Sequence, residues 1–156
     1  MNATSLKIRS AGRSDLTSLI DLYQHLSEGD EKPLLTVAEE IFEKFLTYQG
    51  SEIIVGEVAG QLVASCTLVV VPNLTRGGRP YGLLENVVTH RDFRNHGFGR
   101  QLLHYASDIA LKADCYKVML MTGSKKPETI QFYLGAGFEQ SKIGFQMRRI
   151  PPRPDT

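Results

Sequence analysis

Leu84-Glu85-Asn86-Val87-Val88-Thr89-His90-Arg91-Asp92-Phe93-Arg94-Asn95-His96-Gly97-Phe98-Gly99-Arg100-Gln101-Leu102-Leu103 decides how the rest of the chain is read. An apolar, β-branched run ends in a polar turn, and Arg94, Gly97 and Gly99 then lead into the helical spacing of Leu102, Leu103, Tyr105 and Ala106. The order is strand, loop, helix. Two glycines at a helix entrance let backbone approach a ligand closely, and the free N–H groups of the first turn point at it. Such a cradle suits an anion, phosphate above all.

Other glycine motifs fit less well. A dinucleotide fingerprint needs three glycines after the first strand of its unit and an acidic residue roughly 20 positions on. Here the third glycine is missing and the unit lies past mid-chain. A nucleotide-hydrolysing phosphate loop needs Gly-Lys-Ser or Gly-Lys-Thr, and Gly99-Arg100-Gln101 is neither. Gly97 and Gly99 taken alone would also suit a helix N-terminus packed tightly on its neighbour.

Working outward, the 156 residues and net charge of +1 describe one domain with a core of its own and give no reason to expect nucleic acid or a membrane as partner. No apolar run approaches the roughly 20 residues that span a bilayer, and the N-terminus lacks a signal-peptide core. Cys66 and Cys115 stand far apart, so neither suits a zinc site, no metal is expected, and a reduced, cytoplasmic protein is the simplest reading.

The chain opens on an alternating strand at Leu6-Lys7-Ile8-Arg9. Ser14 or Asp15 then caps a helix carrying Leu16, Leu19, Ile20, Leu22, Tyr23 and Leu26 on one face. An acidic break from Ser27 to Pro33 leads to a second helix, capped by Thr36 and ended by Gly50. Ile53 to Val58 and Leu62 to Val71 read as a hairpin, and Tyr81 to Thr89 as the next strand. The helix from Gly97 to about Lys112 crosses over to a parallel strand, Tyr116 to Met121. Pro127 starts a last helix ending at Gly135. Phe138 to Arg149 reads as a further strand or hairpin arm. Residues 1–150 make one domain and 151–156 a disordered tail.

Arg94-x-x-Gly97-x-Gly99, preceded by Glu85-Asn86-Val87-Val88 and followed by Phe132-Tyr133-Leu134-Gly135-Ala136-Gly137-Phe138, resembles the GCN5-related N-acetyltransferase (GNAT) family. The resemblance implies an α/β (α+β) fold: a mixed, mostly antiparallel sheet with one splayed parallel strand pair and helices on both faces. It also implies an acyltransferase that uses acetyl-CoA. The pantetheine arm would pair with the strand at Val87 and Val88. The pyrophosphate would lie on the loop Arg94, Asn95, His96, Gly97, Phe98, Gly99 and Arg100, mostly through backbone.

Acetyl transfer to an amine requires a neutral nucleophile, a donor for the thioester oxygen and a proton for the departing thiolate. The resemblance assigns the oxygen to a backbone N–H near Val88 and the thiolate to Tyr133. Packing on the sheet is the other reading of Tyr133. Glu85 is the general-base candidate, because an apolar strand would raise its pKa. Alternation puts Glu85, Val87 and Thr89 on one face. The base is otherwise water, with Glu85 a solvent-facing or paired strand residue. Lys126 and Thr129 depart from the asparagine and alanine of many relatives.

In the family the acceptor enters beside the first helices and the loops opposite the cofactor, here Tyr23 to Leu35 and Leu74 to Tyr81. Glu28, Asp30 and Glu31 are placed to attract an amine, and Arg76 or Arg79 to hold a phosphate or carboxylate. The expected acceptor is a small-molecule primary amine. A protein or peptide amine, a non-catalytic acyl-CoA sensor and an interaction subunit are the alternatives, and the assembly state, homodimer included, is open.

Overall fold

A computed structural model describes residues 5–152. Its single sheet follows chain order: β1 (Lys7–Ser10), β2 (Glu52–Val58), β3 (Gln61–Val71), β4 (Tyr81–Thr89) and β5 (Val118–Leu120). The first four strands pair antiparallel, and β4 and β5 run parallel. The β2 to β3 connection turns through Ala59 and Gly60, both at positive φ (48° and 83°), the geometry that tight hairpins need. Parallel β5 is reached by the crossover helix α3 (Phe98–Lys112).

Both faces of the sheet are covered, so β3 is buried without a break from Leu62 to Leu68 instead of alternating. On one face Ile54, Cys66, Leu68 and Leu84 meet Leu102, Leu103, Ala106 and Ala110 of α3. On the other, Leu19 and Leu22 of α1 (Leu16–Tyr23) pack on Val55, Leu62 and Val88. Helix α2 (Leu35–Leu46) buries Ala38 and Phe42, and α4 (Pro127–Gly135) lies beyond β5 in sequence. The expected mixed sheet with helices on both faces is the one observed.

Local details differ from the sequence reading. Asp15 does not cap α1 from below; its carboxylate accepts the Gly12 N–H at 2.7 Å and pairs with Arg9 at 2.6 Å, tying the turn to β1. Helix α2 is preceded by Leu34 and starts one residue before Thr36, which therefore does not cap it. The largest departure is Phe138 to Arg149, which joins no sheet; Ile143, Phe145 and Met147 are 86%, 91% and 100% exposed. A strand exists only against a neighbour, and no ladder forms between this arm and the three residues of β5. Pro151 and Pro152 are exposed, and the rest of the expected tail, 153–156, lies outside the described residues.

Gly99 sets the distance between α3 and α4. A Cβ there would stand 2.9 Å from Phe132 Cζ and 3.3 Å from Thr89 Oγ1. Gly99→Ala therefore overpacks the junction and is expected to cost about 1–3 kcal/mol. Denaturant unfolding checks this, and an unchanged midpoint would show that α4 yields freely.

Candidate active site

Strand β4 carries one residue more than its partner. Thr67 pairs with Glu85, yet Ser65 pairs with Val88, so Asn86 and Val87 together oppose Cys66. Asn86 takes up the extra length at φ 51°, a left-handed conformation that asparagine tolerates better than most residues. The bulge changes the faces expected from simple alternation. Val87 packs with Leu84 against the α3 cluster, whereas Glu85 shares a face with its partner Thr67.

The bulge also fixes which amides are free. His90 donates its N–H to Val63 at 2.8 Å, and successive N–H groups in a strand alternate in direction. Val88, paired with Ser65, thus points its N–H into the sheet, and Val87 and Thr89 point theirs away from β3. On that side β5 pairs only with Gly82, Leu83 and Leu84, so β4 is an open edge from Glu85 onward. By this register, the amide next to Val88 that faces the open edge is that of Val87.

The open edge runs into the glycine loop. Gly97 precedes α3 at φ 77°, and the first helical bond runs from Gln101 N–H to the Gly97 carbonyl at 3.1 Å. The N–H groups of Phe98, Gly99 and Arg100 are left without helix partners. The side chain of Phe98 is buried with Val58 and Val63, so this residue offers only backbone to a ligand. His96 is exposed, stacks on Phe98 and bonds the Arg94 carbonyl through Nδ1 at 2.7 Å. Asn95 is exposed at φ 63°, and exposed Arg100 extends towards Gly135 at the end of α4.

Arg94 is exposed and already engaged by the backbone around it. Its Nε donates to the Thr89 carbonyl at 3.2 Å and its Nη2 to the His25 carbonyl at 3.0 Å. His25 Nδ1 in turn accepts from Arg91 N and Nε, both at 3.3 Å, while its ring lies 3.9 Å from that of His90. The end of α1 is thereby fastened to the loop. Sequence reading passed over His25, which lies outside every motif, and nothing local signals a partner 66 residues away.

Tyr133 of α4 is half-buried between Phe132 and Phe138. Burial raises its pKa above the ordinary value, with Cys66 and then the Glu85 charge adding to the shift, so the phenol holds its proton well beyond neutrality. Glu85 is exposed, which removes the burial once expected to activate it, but its charge still reaches Tyr133. Cys66 is fully buried and its thiol is pushed up to about 12, so it is an unreactive core side chain. Thr129 Oγ1 bonds Ser124 Oγ at 3.0 Å, which gives that departure from the family pattern a role in holding the entry to α4.

Across β4, a cavity of about 410 Å³ opens between α1, α2 and the sheet, with Tyr23, Ser27, Asp30, Glu31, Lys32, Phe42, Thr67 and Asn86 among its lining. Tyr23 is raised in pKa by burial, against hydrogen bonds with Thr67 and Ser65 that lower it. The buried Ser27 hydroxyl has no hydrogen-bond partner among the described residues, an orphan that a polar ligand would satisfy. Asp30 and Glu31 are where sequence reading placed the acceptor; Thr67 and Asn86 come from distant strands and were missed. Arg76 and Arg79 belong elsewhere, the first over the Tyr116 ring and the second paired with Asp114 at 3.4 Å.

The His25 tie has a consequence for pH. Burial, followed by His90, Arg91 and Arg94, lowers the His25 pKa. A depressed histidine favours the neutral form in the fold, so its contribution is present above the ordinary value near 6.5 and lost as pH falls through the lower folded value. Protonation removes the acceptor used by Arg91, and Asp92 is the one nearby charge that opposes the shift. Thermal midpoints of wild type should fall faster below pH 6.5 than those of His25→Asn, which keeps an acceptor without a charge. Parallel curves would contradict the tie.

Residues 19–138 match the model of the Acetyltransferase (GNAT) family. Over 133 residues, 85% of this chain and 88% of the relative, the sequence is 30% identical to a glucosamine 6-phosphate N-acetyltransferase of Trypanosoma brucei brucei. A solved protein of Agrobacterium tumefaciens str. C58, described as a candidate acetyltransferase, is 43% identical with a TM-score of 0.87, covering 92% of this chain and 99% of that one. An aminoglycoside N-acetyltransferase solved with CoA, 16% identical with a TM-score of 0.78 over 96% and 98% of the two chains, shares the fold. No described helix is long and apolar enough to cross a membrane. The chain belongs to the GNAT acetyltransferase family, an acyltransferase with acetyl-CoA as co-substrate.

Proposed function

We propose that this acetyltransferase acts on the primary amine of a small phosphorylated amino sugar or a metabolite of similar chemistry, by direct transfer. The observation that carries the reading is the bulge at Asn86, where the open edge of β4 and the 410 Å³ cavity meet. That volume falls in the range of small-molecule sites, roughly 300–1,000 Å³. The Trypanosoma relative points to a hexosamine phosphate. Lys32, which also pairs with Asp21 at 2.8 Å, is the Lys or Arg in the cavity lining that a phosphate would draw on, with Asp30 and Glu31 beside it for an ammonium.

In this reading the donor lies along β4 with its arm paired to Val87 and Thr89, and its pyrophosphate on the loop at Gly97, over the free amides of Phe98, Gly99 and Arg100. Val88 contributes packing, Asn95 and His96 shape the loop, and Arg94 holds it in place. Val87 N–H meets the thioester oxygen as negative charge develops there. The amine nitrogen bonds the carbonyl carbon, the carbon–sulfur bond breaks, and the thiolate takes the Tyr133 proton. The proton lost by nitrogen passes through water to Glu85, and solvent restores the phenol. Glu85 does this by position, since it is exposed.

Incubation with acetyl-CoA and glucosamine 6-phosphate, alongside a panel of amines, should give a product heavier by one acetyl group. Absence of product with every small amine would overturn the substrate class. Tyr133→Phe should lower kcat about 100-fold or more with near-normal KM for acetyl-CoA, the scale of a lost general acid. Glu85→Gln should lose turnover at neutral pH and regain part of it under alkaline conditions, where free amine is abundant. Equal kcat values would return Tyr133 to packing, and overlaid pH profiles would return Glu85 to the surface.

A further inference from the structure

We propose that the cavity on the outer flank of α1 is a second ligand site, taking a small carboxylate that steadies the glycine loop through His25. The cavity, of about 360 Å³, lies between α1, the β2–β3 turn and the end of β4. Its polar lining is Ser18, Asp21, His25, Gln61 and His90. It shares no lining residue with the 410 Å³ cavity, because Ser18, Asp21 and His25 follow one stripe of the helix and its exit while Leu16, Leu19 and Tyr23 follow another. The two histidines decide what it holds. Nδ1 of His25 accepts from Arg91, and Nδ1 of His90 accepts from the Asp92 N–H at 3.2 Å. A ring nitrogen that accepts carries no proton, so each neutral ring keeps its hydrogen on Nε2. Neither Nε2 has a hydrogen-bond partner among the described residues.

With the rings 3.9 Å apart, Nε2–H is the polar atom that each has left to offer the cavity, and the pair suits the two oxygens of one carboxylate. A metal would need a bare nitrogen, and no group of three metal-ligating side chains occurs among the described residues. The surroundings also favour an anion. Arg91 and Arg94 both bond His25, and after burial it is His90 and these two arginines that depress its pKa, against Asp92. Asp21 is matched by Lys32 at 2.8 Å, and an Asp92 oxygen lies 3.9 Å from His90 Nδ1. Those two aspartates leave room for one negative charge, which a carboxylate carries and a phosphate exceeds. A carboxylate on His25 Nε2–H enriches the ring and strengthens its Nδ1 as acceptor for Arg91. The loop from Arg91 to Arg94 is thereby held before acetyl-CoA arrives, and by linkage acetyl-CoA tightens the carboxylate in return. This coupling rests on the donor placement proposed above; the site itself does not.

Sodium lactate, a monocarboxylate with a hydroxyl for Ser18 or Gln61, is the probe. Titration of the full chain, followed through the imidazole nitrogen resonances, should saturate for His25 and His90 and leave His96 and His104 unmoved. Sodium chloride and inorganic phosphate at matched ionic strength should not reproduce it. With lactate at saturation, calorimetry should give an acetyl-CoA Kd lower by about fivefold or more. Ser18→Trp and, separately, Gln61→Trp fill the cavity from exposed positions. Each should lose the lactate response, with an unchanged circular dichroism spectrum and an unchanged acetyl-CoA Kd in lactate-free buffer. Histidine signals that fail to saturate, that follow phosphate equally, or that still respond in both variants overturn the site. An acetyl-CoA Kd unmoved by lactate overturns the coupling. The amides of Phe98, Gly99 and Arg100 then separate the two causes. Their response to acetyl-CoA means that the loop binds it uncoupled from His25, and their silence means that the donor placement has failed.

Discussion

One extra residue in β4 is the constraint on which the site depends. Had Glu85 to Thr89 continued in the register of Tyr81 to Leu84, Val87 would face the α1 side and the amides would be counted one position off. With Asn86 at φ 51° the strand bends, Glu85 stays on the face of Thr67 and Val87 returns to the face of α3. The bend occurs just beyond Leu84, where β5 ceases to pair. Local backbone strain is thus placed where the open edge of β4 and the cavity meet, and the covered sheet on either side holds it.

The loop that follows is held by its surroundings as much as by its own sequence. Gly99 lets Phe132 approach α3, Arg94 draws on the Thr89 and His25 carbonyls, and buried Phe98 anchors the first turn of the helix. A set of amides is useful for binding a phosphate only if it is already pointed, since ordering it on binding would cost affinity. The same contacts join the cavity between α1, α2 and the sheet to the glycine loop. Tyr23 and Ser27 line the cavity, and His25 between them holds the loop.

Much of this was legible in the residues. Periodicity located every strand of the sheet and the four α-helices among the described residues, because burial on both faces leaves long apolar runs and the amphipathic helices leave regular stripes. The glycine loop and Tyr133 carried the family, which the comparison of residues 19–138 then showed. What stayed hidden was non-local. Glu85-Asn86-Val87-Val88 reads as an uninterrupted strand, so the bulge could not be seen and the exposure of Glu85 was only one of two readings. The partners of Arg94, 5 and 69 residues away, are invisible to spacing. The arm at Phe138 to Arg149 has the pattern of a strand, but a pattern does not supply the neighbour.

The central claim is that the donor binds as an added strand on β4 and continues onto the entrance of α3. Amide hydrogen exchange resolved by residue, with and without acetyl-CoA, tests it most directly. Val88 and His90 already donate into β3 and should exchange slowly in both states. The amides of Val87 and Thr89, together with those of Phe98, Gly99 and Arg100, should be fast alone and protected on addition of acetyl-CoA. Protection confined to other elements, with these five unchanged at saturating acetyl-CoA, would contradict the account.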